Sequence, residues 1–370
     1  MTVCRSDAYG SVTCLQIFAS IRSGFFPTCL GEPRQAALRN FCYSGVIKPD
    51  AFTKSFYDYS DQWRNVCWIA NSELAEMIRS DHIDILVDLS GHAGGNRLLV
   101  FARKPAPVQI TAGGHYDTTG LDAINYLISD SFHMPPGSQQ YFSEELMNLP
   151  NCYNCYAAPQ YVPPVRKLPA TDLGYITFGC FNNLAKINPE VIALWSTILL
   201  ELPDVRLELQ TRGLEDTATR DRYRNLFESN GIAHDHVGLE GGVPHAVLLG
   251  RYDAIDLALD PFSNSGGVTT LEALWMGVPV ITLTGHVFAG RHSTSHLSNV
   301  GLQEFVTNDP EQYVAVTTAL ARDTNRLQKL RSALRPLMAA SPVCDAKGYT
   351  RDLEAAYRHM WQRWCGSREA

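Results

Sequence analysis

Several things are missing from this 370-residue chain, and each absence closes off a class of function. No apolar run approaches the roughly 18 residues that a membrane-crossing helix needs. The opening MTVCRSDAYGSVTCLQIFAS has a poor basic region and an apolar stretch interrupted by polar residues, so it does not read as a signal peptide. The expectation is a soluble, cytoplasmic protein without membrane contact. Positive charge is scarce: 31 Lys and Arg stand against 38 Asp and Glu, and a net charge of -7 gives no general footprint for nucleic acid. No GxxxxGK loop and no GxGxxG fingerprint occurs, which leaves kinase and dehydrogenase readings with little support. No aspartate-rich DxD stands at a strand end; Asp256 and Asp260, four apart in DAIDLALDPF, read as strand-boundary residues. Internal repeats and low-complexity tracts are absent, including any tetratricopeptide period. Residues 1–36 contain no histidine and no clear periodicity, and they are expected to be irregular.

What is present is a globular composition, 45% hydrophobic and 19% charged, in a chain long enough to bury a real core. The 10 cysteines are scattered, many in apolar segments such as those of Cys42, Cys67 and Cys180, as suits a reducing compartment. One close pair, Cys152 and Cys155, has no second ligand pair in view and is weak support for zinc. His292 and His296 are four apart but lack a third ligand, and hydrogen-bonding or capping roles suit them better than metal.

Short apolar runs ending in glycine or aspartate (IDILVDLSG, APVQITAGG, INYLISD) predict strands buried on both faces. They alternate with helical patterns such as NSELAEMIRSDH, with Asn71 or Ser72 as its cap, so an α/β chain with parallel sheets is expected. A proline-rich stretch from about Pro150 to Pro169 marks a linker. The alternation then restarts: YITFGCF, a helix capped by Asn188 with Pro189 at its first position, VRLELQT, TATRDRYRNLFESNG, IDLALDPF, TLEALWMG and VPVITLTG. The expected organisation is an N-terminal Rossmann-like domain over 37–160, a fuller one over 170–345, and a helix over 346–365. That helix carries Leu353, Tyr357, Met360, Trp361 and Trp364 on one face.

Ligands of open α/β sheets bind beyond the carboxyl ends of the strands. Three glycine-rich stretches fall there: LSGHAGGNR, TAGGHYDTTG and SNSGGVTT. In the third, Gly266 and Gly267 permit close backbone approach to a helix start, where free N–H groups and partial positive charge favour phosphate. Thr269 and Thr270 add hydroxyls, and Glu272 is placed to grip ribose hydroxyls. The plain structural alternative is that Thr269 caps the helix and Glu272 completes the cap. Lys186, in the loop of CFNNLAKINP, is suited to neutralise a pyrophosphate leaving group without a metal. Its alternative is a solvated loop lysine. His92 and His115 lie in glycine-rich loops and are candidates for sugar contact or proton transfer, the plain alternative being that each only satisfies loop backbone. His245 and Arg251 are candidates to line a nucleobase pocket.

Taken in order, DILVDLSGHAGGNRLLVFARKPAPVQIT, HYDTTGLDAINYLISD, GCFNNLAKINPEVIALW, IDLALDPFSNSGGVTTLEALWMGVPVITL and GRHSTSHLSNVGL resemble the catalytic region of the O-linked N-acetylglucosamine transferase family. This is glycosyltransferase family 41, in its bacterial, SPINDLY-related form. The resemblance covers about Arg39 to Cys365. It implies a GT-B fold: two Rossmann-like domains with a cleft between them and a C-terminal helix returning to the first. It also implies inverting, metal-independent transfer of GlcNAc from UDP-GlcNAc to protein serine or threonine, with no cofactor. By position, Lys186 resembles the lysine that holds the donor diphosphate, and Thr269 and Thr270 the paired threonines at the phosphate-binding helix. Glu272 takes the place of the ribose-binding acid, Arg251 that of an arginine near uracil, and Asn183 that of a nucleotide-touching glutamine. The chain departs from the animal enzymes at Val268, Leu248 and Ala185, where they carry a histidine, a uracil-stacking histidine and a tyrosine. The histidine-bearing first loop is unrecognisable, so the first strand-helix unit of the N-domain is expected to be missing, leaving an unpaired sheet edge. Two other readings follow from that: a non-catalytic nucleotide-sugar-binding remnant, or a transferase with another sugar donor or a small-molecule acceptor.

Overall fold

A computed structural model of the chain describes residues 17–23, 38–113 and 117–369. The chain divides into two compact units. One reaches to Tyr153 and takes back residues 347–369, and the other is Asn154–Ala346.

The first unit contains β1 (Ile17–Ser23), β2 (Leu38–Ser44), α1 (Ala51–Tyr59), β3 (Gln62–Asn65), α2 (Asn71–Ser80), β4 (Ile85–Asp88), α3 (Leu98–Phe101), β5 (Val108–Thr111), β6 (Tyr126–Asp130) and β7 (Glu145–Leu149). The sheet order is β3-β2-β1-β4-β5-β6-β7. Two expectations are corrected here. Ile17–Ser23 is not irregular, and the sheet is not wholly parallel: β1 lies between β2 and β4 and runs antiparallel to both. The strand hides in the sequence because IFASIRS is short and shows neither a clean alternation nor a continuous apolar run. The edges fall at β3 and β7. The remainder of 1–36 lies outside the described residues.

The apolar runs explain the rest. All of Ile85, Leu86, Val87 and Asp88 are buried, as befits a strand covered on both faces. Leu74, Ala75 and Ile78 turn one stripe of α2 into a core with Phe41, Tyr43, Leu86 and Phe101. The cap of α2 is Ala70, without a side-chain bond, rather than Asn71 or Ser72. Asn71 is engaged elsewhere, its Oδ1 accepting from Arg97 Nη1 at 2.9 Å, and Arg97 also donates to the Ile69 and Val66 carbonyls. A guanidinium with several donors outcompetes the helix for that amide.

The second unit contains α4 (Ala170–Leu173), β8 (Thr177–Cys180), α5 (Pro189–Glu201), β9 (Arg206–Gln210), α6 (Thr217–Ser229), β10 (Val237–Glu240), α7 (His245–Arg251), β11 (Leu257–Leu259), α8 (Val268–Trp275), β12 (Val280–Leu283), α9 (His292–Val300), β13 (Val306–Thr307), α10 (Pro310–Ala321) and α11 (Thr324–Ala339). Six parallel strands run in the order β10-β9-β8-β11-β12-β13. Succession runs outward from β8 one way and from β11 the other. The topological switch therefore falls between β8 and β11, and the loops after those two strands diverge around it. Asn188 caps α5 by accepting from Val191 N, with Pro189 in its first turn. Gly277, at φ +78, closes α8; a Cβ there would meet the Arg331 carbonyl at 2.5 Å, so the close approach requires glycine.

Helix α12 (Ala346–Glu369) belongs to the first unit from residue 347 onward. It buries Leu353, Tyr357 and Met360, while Trp361 and Trp364 stack on each other at 4.7 Å. Asp352 accepts from Asn151 at 2.9 Å, Tyr349 donates to the Tyr153 carbonyl at 3.2 Å, and Arg363 pairs with Glu145 on β7.

Arg331 of α11 is buried and donates to the carbonyls of Arg166, Ile255 and Tyr252 at 3.1, 2.8 and 3.0 Å. It ties the linker to the turn that precedes β11. Arg331→Met strands those carbonyls and is expected to lower the unfolding free energy by about 3 kcal/mol in denaturant titration. Arg331→Lys should recover little of it, because one ammonium cannot span the fork. A loss below about 1 kcal/mol contradicts this account.

Candidate functional site

At the switch point the chain leaves β8 through Phe181, Asn182 and Asn183 into a short turn, Leu184–Lys186, and leaves β11 through Asp260 into the glycine-rich start of α8. The two loops meet. Lys186 Nζ donates to the Ser265 carbonyl at 2.6 Å. Asp260 is wholly buried, and its two oxygens accept from Gly266 N and from Thr282 Oγ1, both at 2.7 Å. Burial pushes the Asp260 carboxyl up and the Lys186 ammonium down; each charge partly offsets the other's shift.

Gly266 has to be glycine, because a Cβ would sit 2.4 Å from Thr270 Oγ1, 2.8 Å from Asp260 Oδ1 and 2.9 Å from Thr269 Oγ1. Thr270 Oγ1 shares a hydrogen bond of 2.7 Å with Ser293 Oγ, which donates on to the Gly266 carbonyl at 2.9 Å. Thr269 Oγ1 donates to Asn182 Oδ1 at 2.9 Å, and the Thr269 carbonyl accepts from Tyr252 OH at 3.1 Å. The structure decides against the simple capping alternative. The N-cap of α8 is Gly267 and no side chain caps the helix; Thr269 and Glu272 are committed to other partners. A helix start with uncapped N–H groups beside a half-buried ammonium is chemically an anion seat.

Glu272 is buried one turn further along α8, and its Oε1 lies 2.6 Å from His245 Nε2 at the start of α7. Tyr161 OH lies 2.7 Å from His245 Nδ1. Arg251, at the far end of α7, is exposed and lines a cavity of about 360 Å³ with Arg206, Glu208, Gln210, Glu240 and Tyr175. Burial and the neighbouring Glu240 push the Glu208 carboxyl up, with Arg206 and Arg251 opposing.

Lys186, Gly266, Gly267, Thr269 and Thr270 thus come together, with Glu272 and His245 on the same helix-start side. Asn183 is exposed and its Oδ1 accepts from Ala185 N at 2.9 Å; it is Asn182 that touches Thr269. In the first unit, His92 is exposed and its Nε2 lies 3.0 Å from the Thr119 carbonyl. A carbonyl only accepts, so Nε2 carries the proton and Nδ1 is the basic atom of the neutral ring. Glu144, fully buried, holds that loop by accepting from Thr119 N at 2.7 Å and Thr118 Oγ1 at 2.6 Å. His115 lies outside the described residues. His292 and His296 are buried in α9, and burial pulls the His296 imidazole down to about 3.

Sequence reasoning missed Asp260, Asn182, Ser293, Tyr252 and Tyr161. Asp260 had a signal: an aspartate ending an otherwise apolar strand is a buried charge that needs partners. The others had none, since their roles depend on contacts between distant segments.

The family model for glycosyl transferase family 41 matches residues 30–167 and 165–353. The rice protein named probable UDP-N-acetylglucosamine–peptide N-acetylglucosaminyltransferase SPINDLY is 41% identical over 331 residues, covering 87% of this chain and 35% of its own length. The petunia protein of the same name is 40% identical over the same span, with 87% and 35% covered. The chain therefore spans about a third of the length of these relatives. Among solved structures, a lysine-to-methionine mutant of the Thermobaculum terrenum O-GlcNAc transferase superposes with a TM-score of 0.84 at 42% identity, covering 89% of this chain and 62% of that one. Anabaena HepE, solved with UDP and glucose, superposes with a TM-score of 0.54 at 13% identity, covering 84% and 90%. The two α/β units, with the C-terminal helix returning to the first, are the GT-B fold.

Gly266→Ala tests the seat. The added methyl displaces two short threonine side chains and a buried carboxylate, which should reduce stability by about 1–3 kcal/mol and disturb the start of α8. The expected outcome is a folded protein with a lowered melting temperature; an unchanged melting temperature contradicts the geometry.

Proposed function

The chain belongs to glycosyl transferase family 41, and on that premise we propose that it is an inverting glycosyltransferase that moves GlcNAc from UDP-GlcNAc to serine or threonine hydroxyls of a protein. The observation that carries the reading is Lys186, half-buried, with its ammonium 2.6 Å from the carbonyl that leads into the uncapped start of α8. Both are suited to the charge that develops on a departing diphosphate. A hydroxyl attacks the anomeric carbon as the bond to the diphosphate oxygen breaks. The negative charge gathers on that oxygen, where a fixed ammonium and aligned N–H groups stabilise it more than they stabilise the ground state. That is the work a divalent ion does in other enzymes, so no metal and no cofactor are needed on this reading. Glu272 takes the ribose hydroxyls, and the Arg251 cavity with Asn183 and His245 takes the nucleoside. The acceptor's proton passes to a histidine, for which His92 and His115 are the candidates. The names of the SPINDLY relatives and of the Thermobaculum enzyme support the same donor and a peptide acceptor. We place the protein in the cytoplasm.

The test is calorimetry with UDP and UDP-GlcNAc in EDTA, followed by sugar transfer to candidate peptides. Wild type is expected to bind both nucleotides without a metal, and Lys186→Ala to lose binding by at least a hundredfold. No binding by a folded wild-type sample overturns the donor site; binding that requires a divalent ion overturns the metal-free reading.

pH supplies a further check. Burial depresses the Lys186 ammonium, against which Asp260 and Cys180 act more weakly. A lowered cation pKa means that the charged form is complete below it and is lost as pH rises through it. Nucleotide affinity should therefore fall on the alkaline side earlier than an ordinary lysine would titrate. In Lys186→Arg the fall should vanish; a flat profile in the wild type contradicts the assignment.

A further inference from the structure

Two contacts at the ribose end of the seat form a chain that the donor reading leaves unexplained. Glu272 is 1% exposed, and its Oε1 is 2.6 Å from His245 Nε2. His245 Nδ1 is in turn 2.7 Å from the hydroxyl of Tyr161, whose ring stands edge-on to the imidazole at 5.7 Å between centroids and 88°. Tyr161 comes from the proline-rich segment before α4, 84 residues from His245 in sequence.

The proton order along this chain follows from elementary chemistry. An ionised carboxylate only accepts, so Nε2 carries a proton toward Glu272. In the neutral ring Nδ1 then holds the lone pair, and the Tyr161 hydroxyl donates to it. The opposite tautomer would set the Nε2 lone pair against a carboxylate oxygen. Glu272 therefore fixes the tautomer of His245, Tyr161 fixes the orientation of the ring by donating to Nδ1, and His245 fixes the rotation of the Glu272 carboxylate. A buried carboxylate that must present two oxygens to a vicinal diol needs such an anchor, since a free rotor would lose orientation with each nucleotide released.

We propose that Tyr161 is a positioning residue for nucleoside binding, acting through His245 on Glu272. This deepens the donor-site reading above and rests on it. The chain also ties the proline-rich segment at the start of the second unit to the ribose subsite, so nucleotide occupancy and the order of residues 157–163 should be linked. A nucleotide that uses Glu272 binds more tightly with Tyr161 in place.

The discriminating variant is Tyr161→Phe, which keeps the edge-on ring and removes one hydroxyl. In nitrogen-15 NMR of nucleotide-free protein, wild-type His245 should show a single tautomer protonated on Nε2 with a hydrogen-bonded Nδ1; in Tyr161→Phe the tautomer should stay and the Nδ1 resonance move to that of a lone pair that has lost its donor. In calorimetry the UDP dissociation constant should rise about fivefold, a hydrogen bond's worth. Where transfer is measured, KM should rise with kcat unchanged. Tyr161→Phe added to His245→Ala should weaken UDP binding no further, because the two act as one unit. An unchanged Nδ1 resonance, or a UDP affinity within twofold of wild type, overturns the proposal while leaving the donor site standing. A folded wild type that does not bind UDP overturns the donor-site reading itself and this proposal with it.

Discussion

Asp260 ends β11 with its carboxylate wholly buried, and much of the second unit is arranged around the need to satisfy it. An unpaired buried carboxylate is untenable, so its oxygens draw in Gly266 N and Thr282 Oγ1, and the Lys186 charge lies within reach. Those partners are not arbitrary. The first sets the direction in which the chain leaves the strand and hence where α8 begins. The second joins β11 to β12 through side chains as well as backbone. Lys186, whose charge partly offsets the burial of Asp260, bonds to the Ser265 carbonyl and so holds the loop after β8 against the start of α8. The residue's own carbonyl accepts from Tyr313, which also receives a hydrogen bond from the buried Trp195, so the core itself is keyed to this position. A helix start held this rigidly can leave its N–H groups uncapped.

The first unit solves the same problem in the same way. Asp88 ends β4 fully buried and folds the next turn by accepting from Ser90 N, Gly91 N and Thr111 Oγ1, with burial pushing its carboxyl up. Glu144 does likewise for the loop at Thr118 and Thr119. Each buried acid follows or faces a loop carrying a candidate residue. Their common effect is to convert glycine-rich connections, which would otherwise be soft, into fixed turns.

Much of the second unit was legible because its signals are local. Asn188 and Pro189 announce α5, and the apolar run ending in SNSGGVTT announces a strand, a turn and a helix start. The grouping of Lys186 with Thr269 and Thr270 was legible too, since parallel strands place their loops on one edge. What escaped has a common physical cause. β1 pairs antiparallel in the centre of a sheet, and β7, α9 and α10 carry weak or mixed periodicities, so only tertiary pairing defines them. Asn182 and Asn183 differ by one position, and only the turn decides which faces Thr269. Tyr161 sits in a stretch that reads as a plain proline-rich linker, and its partner lies 84 residues away.

The central claim is that the start of α8 and Lys186 together form the diphosphate seat. A crystal structure of the protein with UDP tests it most directly. The account predicts diphosphate oxygens within hydrogen-bond distance of the first N–H groups of α8, with Lys186 Nζ turned from the Ser265 carbonyl onto the phosphate and the ribose on Glu272. UDP bound with its phosphates elsewhere, and Lys186 still on Ser265, would contradict it.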